Sequence, residues 1–186
     1  MLTSLALFVA MLPIAPTASP SMGGEGVQAI TSYAPGGPKV EVMMEKGGTF
    51  TIRMDPASSY RTVRHLVGLV EKGFYDGQRV HRVERWVTQW GDPLSRDAPM
   101  SDPKMGDGGS GKDVPFEESP VEFVRGVVGV ASWGKKKGGD SQLFILKKDA
   151  WRLKGNYAAV GFVIRGMDVV DKVQRGDRIK SIRIVK

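Results

Sequence analysis

From Lys39 onward, apolar residues recur at every second position. Val40, Val42 and Met44 alternate with Glu41, Met43 and Glu45, and then Phe50, Ile52 and Met54 alternate with Thr51 and Arg53. This period predicts two strands, each with one buried face, and Lys46-Gly47-Gly48 between them predicts a hairpin turn. The period then lengthens. Val63, Leu66, Val67 and Val70 share one face of a helix, with Ser58 or Ser59 available to cap its start and Gly73 to stop it. His65 falls on the polar side or edge of that helix, the place of a surface or packing histidine. Strand patterns resume at residues 78–83, 86–89, 126–131, 143–147 and 158–163. Met167, Val170 and Val173 predict a second helix over residues 167–175, with Gly176 as terminator. The closing stretch "RIKSIRIVK" alternates again, with Ile179, Ile182 and Ile184 as its apolar set. Residues 94–113 are rich in Gly, Pro, Ser and Asp and predict a long surface loop. Short connections without a βαβ rhythm place the chain in the mainly β class, as an antiparallel barrel or sandwich with two helices.

A length of 186 residues fits one domain with a tail. Residues 1–20 carry no charged side chain, and Leu5–Leu12 is broken by Pro13 and Pro16. That apolar stretch is too short to span a bilayer. It fits the core of an export signal followed by small residues near Ala18-Ser19, although no Lys or Arg precedes it. The expectation is therefore a signal peptide over residues 1–20, a flexible linker over 21–38 and a folded domain over 39–186. Export would place the protein in the periplasm; the alternative is the cytoplasm. No cysteine is available for lipidation, so stable membrane insertion is not expected.

The absence of cysteine also excludes disulfides, zinc–thiolate sites, iron–sulfur clusters and thiol nucleophiles. The two histidines, His65 and His81, form no metal-ligand pattern, so neither metal nor cofactor is expected. A net charge of +7 favours anionic partners in general. The cations are scattered, however, apart from Lys135–Lys137 and the pair Lys147-Lys148, so a nucleic-acid partner is not expected. "GDGGSG" (Gly106 to Gly111) satisfies the spacing of a dinucleotide fingerprint. It lacks a preceding strand and a following helix, and Asp113 stands where a phosphate loop needs Ser or Thr. It reads as a turn. Ser132 in "GVASWG" lacks the flanking glycines of a nucleophile elbow, and the one candidate base, His81, adjoins Arg82, which opposes its protonation.

Arg82 itself is the anomaly, a guanidinium between His81 and Val83 in a half-buried strand pattern. By itself it reads as a structural ion pair, with Glu84 or Asp92 as partner. The segments "GFYDGQRVHRV", "TQWGDP", "SQLFIL" and "GFVIRGMDVVDKV", with the opening "VEVMMEKGGTFTIRM" and the helix "YRTVRHLVGLVEKGFYDG", resemble the cyclophilins in family order over residues 39–186. The resemblance implies a closed eight-stranded antiparallel barrel capped by two helices. It implies peptidyl-prolyl cis–trans isomerase activity in protein folding, on proline-containing polypeptides, by a monomer without a cofactor. The alternative is a non-catalytic proline-peptide-binding or chaperone module on the same barrel.

The resemblance also implies site residues. Arg82 aligns with the family's catalytic arginine. Trp86, Val87, Phe144, Leu153 and Tyr157 fall at pocket positions, Gln89 and Gln142 at hydrogen-bonding positions, and Ala131-Ser132 on the strand that pairs with substrate. Four departures stand out. The turn after the arginine segment is the shorter "ERW", Trp90 replaces a glycine, and Trp133 replaces a small residue near the groove. Arg152, beside Trp151, occupies the position of the tryptophan that commonly binds cyclosporin. These departures lead to the expectations of weak cyclosporin binding and of a preference for acidic segments facing Lys135–Lys137.

Overall fold

A computed structural model describes residues 34–186. The expected signal peptide and residues 21–33 of the expected linker lie outside the described residues. The strands are β1 (Lys39–Met44), β2 (Thr49–Met54), β3 (Arg82–Val83), β4 (Val87–Trp90), β5 (Val127–Ser132), β6 (Gly139–Leu146), β7 (Ala159–Arg165) and β8 (Ile179–Val185). The helices are α1 (Tyr60–Glu71) and α2 (Met167–Lys172), and short 3-10 turns occupy Pro93–Arg96 and Trp151–Leu153. All pairings are antiparallel, in the spatial order β3-β4-β6-β5-β7-β2-β1-β8.

The expected closed barrel is corrected to a curled half-barrel. β3 and β8 lie at opposite ends of the strand order and do not pair as strands. Between these edges runs a short seam, in which Val80 N–H donates to the Asp177 carbonyl (2.9 Å) and Ile179 N–H to the Gln78 carbonyl (2.8 Å). A single bridge joins Arg79 to Arg178. The Arg79 N–H points away from this seam and donates to the Ser95 hydroxyl at 2.9 Å. The strand predicted over residues 78–83 is reduced to Arg82–Val83.

Two apolar clusters follow from strands that are buried on both faces. The inner face carries Val42, Ile52, Trp90, Val128, Leu143, Ile145 and Ile182, covered by Val63, Leu66 and Val70 of α1. The outer face carries Val87, Val127, Phe144, Leu146 and Ala159, covered by Val121, Phe123 and Val124. Alternate residues of β4, β5 and β6 therefore feed different cores. Trp90, where the resemblance places glycine, is fully buried and meets Phe50 edge-on at 6.1 Å between centroids. Of the apolar set of β8, Ile179 and Ile182 are buried, whereas Ile184 is 39% exposed.

The start of α1 departs from expectation. Neither serine caps it: the Ser59 hydroxyl donates to the Ala159 carbonyl at 2.8 Å, and Ser58 bonds the Asp55 carboxylate. The cap comes from Glu117, whose carboxylate accepts the backbone N–H groups of Arg61 (3.0 Å) and Thr62 (2.8 Å) and the Thr62 hydroxyl (2.7 Å). An anion here satisfies orphan donors and opposes the positive helix end. α2 is shorter than predicted and ends at Lys172, with Val173 leaving the helical conformation before Gly176 is reached. No helix among the described residues is long and apolar enough to cross a membrane.

Candidate active site

One row of the sheet organises the site. Arg82 of β3 is registered with Gln89 of β4, Gln89 with Phe144 of β6, and Phe144 with Gly129 of β5. Residues directly opposite in antiparallel strands project to the same side, so this row stands on the outer face. Gly129 is required by its neighbour, because a Cβ there would lie 2.3 Å from the Phe144 ring. The missing side chain lets Phe144 lie flat over β5. There it stacks on Phe123 at 6.3 Å and meets Tyr157 edge-on at 6.1 Å, remaining only 5% exposed.

Above that ring opens a cavity of about 300 Å³. Phe144, Val87 and Leu153 contribute apolar walls, and Trp86 and Tyr157 contribute aromatic ones. Arg82, Gln89, Ala131 and Ser132 complete the rim together with Arg152. Nine of the ten residues expected from the sequence therefore line one slot. The tenth, Gln142, lines an adjoining cavity of about 410 Å³ that shares Gln89, Ala131 and Ser132 with it.

The β3–β4 turn also explains how Arg82 is held. Glu84 N–H donates to the Val87 carbonyl at 2.8 Å, so Glu84 and Trp86 lie in the tight turn joining the two strands and fold back beside Arg82. The Arg82 Nε–H donates to Glu84 Oε1 at 2.7 Å, and the Trp86 indole N–H donates to Glu84 Oε2 at 2.7 Å. The Arg82 guanidinium lies 5.5 Å from the Trp86 ring centroid, and Arg152 lies over the same ring at 4.5 Å. The Glu84 carboxyl is held below its usual range, first by the Arg82 hydrogen bond and then by Trp86 and nearby Arg152, against the opposing effect of burial. Arg82 thus does form an ion pair, and it is with Glu84; Asp92 is buried elsewhere, accepting the N–H groups of Leu94 (2.8 Å) and Gly106 (2.7 Å).

A relay runs behind the guanidinium. Arg82 Nη1–H donates to Gln89 Oε1 (3.1 Å), and Gln89 Nε2–H donates to Gln142 Oε1 (2.8 Å). Gln142 Nε2–H then donates to the Gly106 and Gly108 carbonyls, at 2.7 Å each. The "GDGGSG" stretch is therefore a tethered wall and not a flexible turn. Asp92 holds Gly106 N–H, and Asp140 accepts from Gly111 N–H at 2.9 Å. No helix follows it, so no phosphate cradle forms.

The hydrolase alternative fails on geometry. The Ser132 hydroxyl donates to the Gly134 carbonyl at 2.8 Å, and both ring nitrogens of buried His81 lack a hydrogen-bond partner. Burial lowers the His81 pKa, with Arg82 and Arg175 adding to the effect and Asp92 opposing it. His65 bonds Asp140 through Nε2 at 2.9 Å, which ties α1 to β6. Among the described residues, no group of three or more His, Asp or Glu is arranged to hold a metal.

Sequence reasoning passed over Arg152 as a lining residue, Gly129 as the seat of Phe144, and the Gln142 tether. Only the closeness of Arg82, Glu84 and Trp86 along the chain carried a legible signal; the others required the register.

Fold and site together describe a curled antiparallel sheet whose outer face bears an apolar slot with a guanidinium at its rim. The family model described as "Cyclophilin type peptidyl-prolyl cis-trans isomerase/CLD" matches residues 39–186. A Brucella suis protein named "Probable peptidyl-prolyl cis-trans isomerase" is 32% identical over 160 residues, covering 83% of this chain and 82% of its own. "Peptidyl-prolyl cis-trans isomerase B" of Bacillus subtilis is 30% identical over 145 residues, covering 76% of this chain and 94% of its own. Among solved structures, a cyclophilin-type isomerase from Cryptosporidium parvum, crystallised in the presence of the dipeptide Ala-Pro, matches with a TM-score of 0.68 at 21% identity. That match covers 80% of this chain and 99% of the other. The chain belongs to the cyclophilin-type peptidyl-prolyl cis–trans isomerase family.

Proposed function

We propose that the slot above Phe144 receives the proline ring of a polypeptide and that Arg82 drives rotation of the X–Pro bond. The planar amide resists rotation by about 18–20 kcal/mol because its nitrogen lone pair is delocalised. In the twisted transition state that lone pair returns to nitrogen. A donor aimed at it stabilises the twisted form over the planar one, which lowers the barrier without a covalent step. A guanidinium suits this task, being permanently charged with donors in a fixed fork. The observation that carries the reading is the disposition of Arg82. Nε–H is spent on Glu84 and one Nη1–H on Gln89, while Nη2 has no partner among the described residues and the side chain lines the slot.

Gln89 and Gln142 position that donor, and the half-exposed Ala131-Ser132 segment offers backbone to an extended chain. The protein acts in this reading as a monomer on proline-containing polypeptides and not on nucleic acid. The uncharged, apolar character of residues 1–20 supports export to the periplasm, which sequencing the amino terminus of the protein recovered from cells would test. With Arg152 at the position where the resemblance places the cyclosporin-binding tryptophan, cyclosporin inhibits weakly. The decisive experiment is an isomerisation assay on a short proline peptide. Arg82→Ala is expected to lower kcat/KM about 10²–10³-fold, the usual cost of deleting one transition-state donor. Undiminished turnover would leave only the non-catalytic peptide-binding alternative.

A further inference from the structure

The preference for acidic segments expected from Lys135–Lys137 needs a different carrier, because none of these lysines lines either cavity. Their loop is instead tied to the neighbouring turn, with Lys136 N–H donating to the Asn156 carbonyl at 2.9 Å. That turn presents Arg152. Its guanidinium sits 4.5 Å from the Trp86 ring centroid and lines the slot. A cation resting on an aromatic face is oriented without being neutralised. Arg82, the other cation of the slot, is ion-paired with Glu84, whereas Arg152 has no carboxylate within ion-pair distance among the described residues. Glu84 also feels the nearby Arg152 but is bound to Arg82, so two guanidiniums share one carboxylate and the slot keeps a net positive charge.

The adjoining cavity has the opposite character. Asp107, Asp113 and Asp140 line it, and no cation does. A substrate carboxylate is thus favoured at the Arg152 end and disfavoured at the other, which makes any charge preference one-sided.

We infer that Arg152 is a specificity-determining residue, recognising the carboxylate of an Asp or Glu that flanks the isomerised proline on one side. The inference rests on the slot being the isomerase site. Its test compares kcat/KM for peptides that differ only in carrying Glu or Gln immediately before, or immediately after, the proline. At one of these positions the wild type is expected to prefer Glu about two- to five-fold, the range of a solvent-accessible ion pair. Raised salt should shrink the preference. Arg152→Gln is expected to bring the Glu-to-Gln ratio to about one, and Arg152→Glu to invert it. Lys180→Gln removes an exposed charge from β8, none of whose residues lines either cavity, and is expected to leave the ratio unchanged. Because each ratio is internal to one variant, loss of folded protein does not mimic the effect. A wild-type ratio of one at both positions, or a preference that survives Arg152→Gln, overturns the inference while leaving the isomerase reading intact. Absence of turnover on every peptide overturns both.

Discussion

Arg82 and Gln89 face each other across the β3–β4 ladder, with the Arg82 Nη1–H donating to Gln89 Oε1 at 3.1 Å. Backbone register and side-chain hydrogen bond thus agree, and the guanidinium reaches the slot already oriented. Preorganisation of this kind is the main contribution a protein can make to a reaction that needs neither nucleophile nor metal.

Arg82→Lys should therefore fail although it preserves charge. An ammonium on a flexible stem does not reproduce the fork that serves Glu84 and Gln89 and still leaves a donor for substrate. A loss in kcat/KM of at least about 10-fold is expected, with substrate KM changed less, as for an interaction realised in the transition state. Near-wild-type kcat/KM for the lysine variant would show that charge alone suffices.

Gln142→Leu tests the relay. It removes the acceptor of Gln89 Nε2–H and the donor to the Gly106 and Gly108 carbonyls. Gln89 is then free to rotate, and Arg82 loses its lateral support. A fall in kcat/KM of about 10-fold is expected, corresponding to about 1.4 kcal/mol at the transition state. A fall in thermal stability without any change in rate would reduce the relay to a structural role.

Gly129→Ala places a methyl group against the floor of the slot. The new Cβ would lie 2.3 Å from the Phe144 ring, so the ring must lift into the cavity. Overpacking of this kind costs about 1–3 kcal/mol. Denaturant melts should show that loss, and peptide KM should rise because the cavity is shallower.

Glu117→Ala removes the remote cap of α1, with an expected loss of about 1–2 kcal/mol at neutral pH. The effect should depend on pH. Burial alone would raise the Glu117 pKa, but hydrogen bonds from Thr62 and Arg61 outweigh it and hold the carboxyl below its ordinary value. The stabilisation is therefore complete above the unfolded pKa, near 4.5, and is lost as pH falls through the lower native value. Wild type and variant should converge in urea melts at strongly acidic pH. A gap of equal size at neutral and strongly acidic pH would assign the loss to packing.

Charge at physiological pH leaves the proposed chemistry untouched. Buried His81, beside the proposed donor, has its pKa lowered by burial, which favours its neutral form. kcat/KM is expected to be flat from about pH 6 to pH 9. Because the native His81 pKa lies below its unfolded value near 6.5, stability is expected to decline as pH drops beneath that value. A bell-shaped rate profile centred in this range would point to a general acid or base.

The elements were legible because their signals are local. Period-two runs marked β1, β2 and β8, helical spacing marked α1, and glycines with positive φ at Gly47 and Gly48 closed the predicted first hairpin. Ordered motifs were enough to pick out residues that the structure brings together, since Arg82, Gln89, Gln142 and Phe144 are short-range features of separate segments. What only the tertiary structure decided are relationships between distant segments. Register puts Arg82, Gln89, Phe144 and Gly129 in one row, Glu117 caps a helix 56 residues before it, and Arg152 comes to rest on Trp86. The two-residue β3, and the short seam it leaves against β8, were likewise invisible in the local pattern. Periodicity reports which face a side chain occupies, but not which partner will take its hydrogen bond. That choice is made by three-dimensional proximity.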